Sequence, residues 1–267
     1  MQRPEYLPDF SDPPLDEVVL GVQFTPVPKY SSVGSGEVWG LFKDAFPIVE
    51  EHPLLPPRFE TFGGANPLPD LPFLLGRQPV GSRLWFLSRD LNHLLQFQPD
   101  RFISNWRKTA NLQPYPRFEA IADSFEKNLL VLAEHFKAVF GYQIEINQAE
   151  ISYVNLIPVG EFAEEERWFT VCNSGSVDVE TLNTNFVQVV RDRDRKPYAR
   201  FVTEIQSVFT LPSRKKALKM SLLFKGKPAA SDVPSAIAFL RDGRKRIVKH
   251  FCGITTVEAH EFWGRRA

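Results

Sequence analysis

Apolar residues recur every three or four positions between Tyr115 and Gly141, near the middle of the chain. The spacing continues for about six turns and predicts one long helix with a single buried stripe. The stripe consists of Phe118, Ile121, Ala122, Phe125, Leu129, Leu132, Ala133, Phe136, Val139 and Phe140. Pro116 suits the first turn of a helix, and Gly141 suits a left-handed stop.

Alternating apolar and polar residues predict strands on both sides of this helix. The strands predicted before it are 17–24, 83–87, 94–98 and 101–108. Those predicted after it are 142–147, 150–157, 184–190, 199–209 and 217–224. The last two are joined by a charged turn and form an antiparallel meander. The other predicted helices are 31–49, 232–251, which Gly253 is expected to end, and 255–263.

A run of strands followed by a long helix therefore occurs twice, which favours an α+β fold. We expect two similarly built lobes, each an antiparallel sheet covered by a long helix. Residues 1–141 form the first lobe and residues 142–267 the second. The alternative is one compact domain.

Composition adds few constraints on function. The chain has 267 residues, of which 43% are hydrophobic, so a folded globular protein is expected. Lys plus Arg and Asp plus Glu each number 32, so no overall charge attracts nucleic acid or an anionic membrane. The start lacks a signal-peptide layout, and no apolar run approaches the roughly 20 residues that span a bilayer. We expect a soluble, cytoplasmic protein with no membrane contact.

Prolines concentrate between residues 53 and 79, where they oppose both helix and central strand. This Pro-rich excursion belongs to the first lobe. It either presents Phe73, Leu74 and Leu75 to a partner protein or closes over the core.

A polar and aromatic cluster precedes the central helix. Alternation places Arg101, Asn105 and Arg107 on one face of a strand, where guanidinium groups and an amide suit a carboxylate or phosphate. The opposing interpretation is structural, with these side chains paired internally. The candidate ligand- or partner-binding residues are Arg101, Asn105, Trp106, Arg107, Tyr115 and Arg117.

A basic run on the last long helix is a candidate nucleic-acid contact. It consists of Arg241, Arg244, Lys245, Arg246 and Lys249. A helix that contacts phosphates needs such a run, but a solvated helix face carries one too.

Motifs for catalysis, cofactors and metals are missing from the sequence. The glycines at 34, 36 and 40 have the wrong spacing for a dinucleotide fingerprint. His250, Cys252 and Cys172 lack the spacing of a zinc site, and no nucleophile motif occurs. We therefore predict no catalytic residue, no cofactor and no metal.

Two central motifs resemble those of a known protein family. They are DRFISNWRK at 100–108 and YPRFE at 115–119, and a Pro-Leu-x-Glu-Val strand matches residues 14–18. The closing helix and Ile-Thr segment match 251–255 and His260. The chain in these respects is similar to a sporadically distributed, functionally uncharacterised bacterial family of about this length. The resemblance implies a bacterial intracellular protein and no particular activity; it departs at Gly243 and the basic run around it.

These observations favour a non-catalytic binding or accessory module that acts through protein contacts. One alternative is a nucleic-acid-associated protein that uses the basic run 241–249. The other is an enzyme or ligand-binding protein that uses Arg101, Asn105 and Arg107.

Overall fold

The computed structural model describes residues 7–28, 30, 34–63, 81–109, 114–160, 165–172 and 179–266. The strands are β1 (Asp9–Phe10), β2 (Leu15–Phe24), β3 (Ile48–His52), β4 (Arg83–Leu87), β5 (His93–Gln98), β6 (Arg101–Arg107), β7 (Ile146–Pro158), β8 (Asn183–Arg191), β9 (Pro197–Phe209), β10 (Lys216–Gly226) and β11 (Arg265–Arg266). The helices are α1 (Gly34–Phe42), α2 (Phe118–Phe140), α3 (Glu165–Trp168), α4 (Val233–Ile254) and α5 (Val257–Phe262).

Nine of these strands form one antiparallel sheet, which confirms the α+β class. Their order is β3-β4-β5-β6-β2-β7-β10-β9-β8, and β1 pairs with β11 in a separate two-stranded ribbon. The strands expected in two sheets thus lie in one, because β2 and β7 pair along most of their length. A chain division at residue 141 stays a prediction.

The two halves of the sheet follow the same order outward from the centre. In the first half β2 pairs with β6, β6 with β5 and β5 with β4; in the second β7 pairs with β10, β10 with β9 and β9 with β8. In each half a single strand precedes a meander, and a long helix follows the meander. β3 is an additional strand at the edge of the first half.

The long helices pack on one face of the sheet through aromatic side chains. In α2, the Phe125 ring stacks on Phe102 at 6.0 Å, and Phe136 meets Phe24 edge-on at 6.3 Å. In α4, the Phe239 ring lies 4.7 Å from Phe224. These large, rigid rings pack the two helices against the sheet. Seven members of the stripe predicted for the central helix are buried, whereas Ala133 and Phe140 are half-buried and Val139 is 52% exposed. Gly141 ends that helix with φ +62°.

α4 comes unusually close to the sheet at Gly243. A Cβ atom added there would lie 2.6 Å from both Ile151 Cγ2 on β7 and Phe224 Cδ1 on β10. Only glycine fits at that distance without displacement of its neighbours. The residue that weakens the helical pattern in the sequence is therefore required by packing.

Several predicted bounds were wrong. The helix expected over 31–49 ends at Phe42, because Pro47 opposes its continuation, and Ile48–His52 forms an edge strand instead. Where strands were expected at 142–147 and 150–157, residues 146–158 form one continuous strand, β7, and residues 142–145 lie outside it.

The predicted helix ends also need correction. Gly253 lies inside α4, which ends at Ile254, where the Thr255 backbone N–H donates to the Phe251 carbonyl. Pro116 lies before the first turn of α2, because Arg117 is the N-cap residue. None of the helices in the described ranges is long and apolar enough to cross a membrane.

Candidate functional site

The face of the sheet opposite the helices carries Arg101, Asn105 and Arg107, as alternation predicts. Arg101 is buried, and its Nη2 donates to Gln23 Oε1 at 2.6 Å and to the Pro56 carbonyl at 3.1 Å. The second bond ties the strand to the first part of the Pro-rich excursion. Arg101 is thus an internal anchor for a chain segment that crosses this face.

That crossing segment comprises residues 53–63. Gln98 on β5 exchanges two hydrogen bonds with the Leu55 backbone, at 2.9 and 3.0 Å. Further along, Glu60 pairs with Arg200 on β9 and, at 2.7 Å, with Lys225 on β10. The segment therefore lies over the sheet from β5 to β9. Phe73, Leu74 and Leu75 lie outside the described residues.

Asn105 belongs to a row of polar side chains that runs across four strands. Arg83 Nη1 donates to Gln96 Oε1 at 3.0 Å, and Gln96 Nε2 donates to Asn105 Oδ1 at 2.9 Å. Asn105 Nδ2 then donates to Glu17 Oε1 at 2.7 Å. Arg107 lies outside this row and donates from Nε to the Leu91 carbonyl at 2.9 Å. Each predicted member on this face therefore has an internal partner.

The remaining members of the predicted cluster lie on the helix side of the sheet. Trp106 is buried, with its ring 5.1 Å from that of Tyr115. Tyr115 and Arg117 line a pocket at the entry of α2. The cluster thus divides between the two faces of the sheet.

We call this cavity the Arg244 pocket. It has a cavity volume of about 70 Å³ and lies between the segment before β2, the entry of α2, strand β7 and helix α4. Its lining residues are Pro8, Asp9, Phe10, Pro13, Leu15, Tyr115, Arg117, Tyr153, Asn155, Leu222, Arg244, Ile247, Val248 and Phe251. Apolar walls and a few polar groups are combined in the lining, but the cavity is smaller than the roughly 300 Å³ of the smallest typical ligand pockets.

Four polar side chains meet on the inner side of this pocket. The Tyr115 and Tyr153 hydroxyl groups lie 3.3 Å apart, and Tyr153 also bonds to Arg244. Burial raises the pKa of both tyrosines, so both remain neutral phenols that can donate a hydrogen bond. Arg244 Nη2 lies 3.4 Å from Glu119 Oε1, but its buried Nε–H has no hydrogen-bond partner among the residues that the structure describes.

Arg117 lies at the mouth of the pocket and has a strained backbone. Its φ of +76° is rare for a residue with a Cβ atom. The side chain donates from Nη1 to Asp9 Oδ1 at 2.8 Å, which ties the entry of α2 to β1. Strain of this kind persists where surrounding contacts hold the backbone in place.

The predicted nucleic-acid residues on α4 point in different directions. Arg241 pairs with Asp123 on α2 at 2.9 Å, and Arg246 pairs with Asp242 on its own helix at 2.7 Å. Arg244 is buried, Lys245 is half-buried and Lys249 is exposed. The hydrogen bond from Arg241 lowers the pKa of Asp123. The run therefore forms no continuous track on the helix surface, although a contact by its exposed members stays a prediction.

Sequence reasoning missed an exposed apolar strand at the sheet edge. β8 is the last strand of the order, and within the described residues its backbone pairs only with β9. Phe186, Val187 and Val189 are exposed by 42%, 57% and 45%. The adjoining hairpin between β9 and β10 adds Phe209 and Leu211, exposed by 70% and 85%. An alternating apolar strand has the same pattern at the centre and at the edge of a sheet, so the sequence carried no signal of this position.

The hydrogen bonds of the ladder show which backbone groups of β8 face outward. The Ser207 N–H donates to the Leu182 carbonyl at 2.8 Å, so the pair just before the first residue of β8 is hydrogen-bonded. Antiparallel pairs alternate, so the even-numbered residues of β8 bond to β9. The N–H and C=O groups of Asn185, Val187 and Val189 therefore point away from the sheet.

No group of three or more metal-binding side chains occurs in the ranges that the structure describes. Comparison with protein-family models finds no match for the chain. A search of curated proteins finds none either. The resemblance to a bacterial family of sporadic distribution stays a prediction.

Proposed function

We propose that the protein is a non-catalytic binding module of the bacterial cytoplasm that acts through protein contacts. It captures an extended segment of another protein, which adds as a tenth strand beside β8. The family resemblance supports the bacterial setting, and the edge strand supports the mode of binding. We also propose that the molecule consists of two similarly built lobes, because the two halves of the sheet have the same strand order.

The open edge of β8 is the observation that carries the proposal. Folded proteins usually protect sheet edges with charges, prolines or short strands. β8 has none of these between residues 183 and 190, and it is nine residues long. The opposite edge, β3, has five residues and includes Glu50 and Glu51. The edge at β3 is thus short and charged, whereas the edge at β8 is suited to strand addition.

Charge at the two ends of β8 indicates the kind of partner. At one end, residues 191–196 carry four basic and two acidic side chains. At the other, residues 213–216 carry three basic ones, and residues 178–180, just before β8, carry two acidic ones. Self-pairing of two β8 strands would bring positive ends together in either orientation, which disfavours a second copy of the chain. A segment with alternating apolar residues and acidic ends matches both the strand and its flanks.

A peptide library displayed on phage tests this proposal. Selection against the protein should enrich peptides with alternating apolar residues and acidic ends. Affinity of a selected peptide is then measured by fluorescence polarisation against the wild type and two variants. Val187→Pro removes an outward N–H and leaves the β8–β9 bonds intact, so the fold is retained. Val187→Thr is the matched control, because it keeps the N–H and the β-branched shape.

We expect Val187→Pro to weaken peptide binding at least about tenfold, whereas Val187→Thr changes it by less than about threefold. Failure to select any such peptide, or equal binding to Val187→Pro, would refute the proposal. Light scattering gives a further check. A stable dimer that Val187→Pro dissociates would identify β8 as a contact between copies and contradict the partner assigned above.

A further inference from the structure

A wide groove lies at the end of the sheet where β7 begins and β10 ends. Its cavity volume is about 1100 Å³, above the range of about 300–1000 Å³ that is typical of small-molecule pockets. The first half of α4 lines one side of this groove, which also meets the turn between β8 and β9 and the end of the crossing segment. We call it the Tyr198 groove. Its size favours a stretch of polymer over a small molecule.

Charged side chains line the Tyr198 groove, and most of its acidic groups already have cationic partners. The charged lining residues are Arg191, Arg193, Lys227, Arg246, Glu60, Asp192 and Asp242. Asp242 pairs with Arg246 at 2.7 Å. Glu60 pairs with two cations outside the lining, Arg200 and Lys225. These two carboxylates therefore contribute no net negative charge to the groove.

Three cations of the groove lack a carboxylate partner among the described residues. They are Arg191, Arg193 and Lys227, and all three are exposed. The remaining lining carboxylate, Asp192, accepts the Lys196 backbone N–H at 2.8 Å and thereby holds its own turn. Three positive charges thus face one negative charge, and the groove favours an anionic ligand.

Hydrogen bonds fix part of this arrangement in the unbound protein. The Lys227 N–H donates to the Tyr198 carbonyl at 3.1 Å, which places Lys227 beside the start of β9. Arg191 Nη1 donates to the Arg195 carbonyl at 2.9 Å, across the turn. The Tyr198 ring meets Phe239 edge-on at 6.3 Å. The groove therefore combines positioned cations with aromatic side chains.

The aromatic side chains distinguish a nucleic acid from an acidic peptide. Phe62 and Tyr198 both line the groove and are half-buried. Nucleic-acid bases stack on such rings, whereas Asp and Glu side chains have no comparable planar surface. Two of the three available cations are arginines, whose planar guanidinium groups match phosphate oxygens. Because a duplex keeps its bases stacked on one another, stacking on the protein requires a single strand.

We propose that the Tyr198 groove binds single-stranded nucleic acid. The three cations contact phosphates, and bases stack on Phe62 and Tyr198. Of the basic run 241–249 that the sequence marked as a nucleic-acid contact, Arg246 alone lines this groove. The site is separate from the outward backbone groups of β8 and does not rest on the proposed function.

Fluorescence polarisation with a labelled oligothymidylate of about 12 nucleotides tests the proposal on the wild-type protein. Three phosphate contacts predict a slope of about −2 for the logarithm of the binding constant against that of the salt concentration. Affinity should therefore fall by about 20-fold between about 50 and 200 mM salt. A duplex of the same length should bind at least about tenfold more weakly than the single strand.

A double substitution removes two of the cations. Arg193→Gln with Lys227→Gln changes exposed residues, so the fold is retained. Arg214→Gln with Lys215→Gln is the matched control, because these exposed residues lie between β9 and β10, outside the groove lining. At the lower salt concentration, the groove variant should bind the oligonucleotide at least about tenfold more weakly, whereas the control should change affinity by less than about threefold.

Crosslinking locates the bases without any substitution in the protein. An oligothymidylate that contains thiothymidine is irradiated with the wild-type protein, and the attached residues are identified by mass spectrometry. We expect crosslinks at Phe62 or Tyr198. Val187→Pro should bind the oligonucleotide as the wild type does, so this proposal and strand addition at β8 can fail separately.

Four results would overturn the proposal. The first is a Kd for the oligothymidylate above about 100 µM at the lower salt concentration. The second is displacement of the oligonucleotide by an equal concentration of a glutamate-rich peptide, which would assign the groove to an acidic peptide. The others are full affinity in the Arg193 and Lys227 variant and crosslinks confined to residues outside the groove.

Discussion

Replacement of Gly243 by alanine should destabilise the protein, although the same change in most helices stabilises it. In an exposed helix interior, Ala is favoured over Gly by about 1 kcal/mol. At Gly243 the new methyl group meets Ile151 and Phe224 at 2.6 Å. Optimal carbon–carbon separation is about 3.5–4.0 Å, so each contact is too short by about 1 Å.

The size of the effect follows from these two terms. Overpacking of a well-packed core costs about 1–3 kcal/mol, and contact with two strands at once places Gly243 in the upper part of that range. After subtraction of the helix-propensity gain, the free energy of unfolding should fall by about 2 kcal/mol. For a chain of this size the melting temperature should fall by about 4–8 °C.

Gly253 provides the control in the same helix. A Cβ atom added there meets nothing within 4 Å, and the residue is exposed. Gly253→Ala should therefore raise the free energy of unfolding by up to about 1 kcal/mol. Both variants are measured by urea unfolding with tryptophan fluorescence as the signal. If Gly243→Ala stabilises the protein as Gly253→Ala does, α4 does not approach the sheet as closely as described.

Two further predictions concern the crossing segment and the dependence of stability on pH. Arg101→Met should lower the free energy of unfolding by about 2–3 kcal/mol, because the hydrogen bonds to Gln23 and Pro56 are lost. The same loss should speed protease cleavage within 53–63. The control, Arg107→Met, should change the free energy of unfolding by less than about 0.5 kcal/mol. Cleavage at equal rates in the two variants would show that Arg101 does not anchor the segment. Burial lowers the pKa of His250 below its ordinary value of 6.5. On acidification the unfolded state therefore takes up the proton before the folded state does. The contribution to stability that is present above pH 6.5 is lost as the pH falls through the folded-state pKa. His250→Gln should flatten this decline between about pH 7 and 5, and an unchanged slope in urea titrations across that range would contradict the assignment.

Local patterns predicted most elements of the fold because side-chain periodicity is set by neighbours in the sequence. The stripe of α2 and the alternation of β9 and β10 are of this kind. The pairing of β2 with β7 was not predictable, because no local pattern specifies a partner more than a hundred residues away. We therefore expected two sheets, whereas the structure has a single nine-stranded sheet.

The candidate site shows a similar limit. Arg244 was assigned to a basic surface with its neighbours in the run, although it lies four residues after Leu240 and three before Ile247, on the apolar stripe of α4. Helical phase was therefore a usable signal for its burial. No such signal marked Tyr153, whose approach to Tyr115 depends on how β7 and the entry of α2 lie in space.

In the proposed binding mode, the antiparallel join between β2 and β7 also determines how many partners the molecule can bind. A dimer of two identical chains, each forming one half of such a sheet, would have identical outer edges. If both edges were open, further molecules could add at each end without limit. Because both halves belong to one chain, their outer edges differ: β3 carries Glu50 and Glu51, and β8 carries no charge before Arg191. In the proposed binding mode, growth by strand addition therefore stops after one step, and we expect a complex of defined stoichiometry.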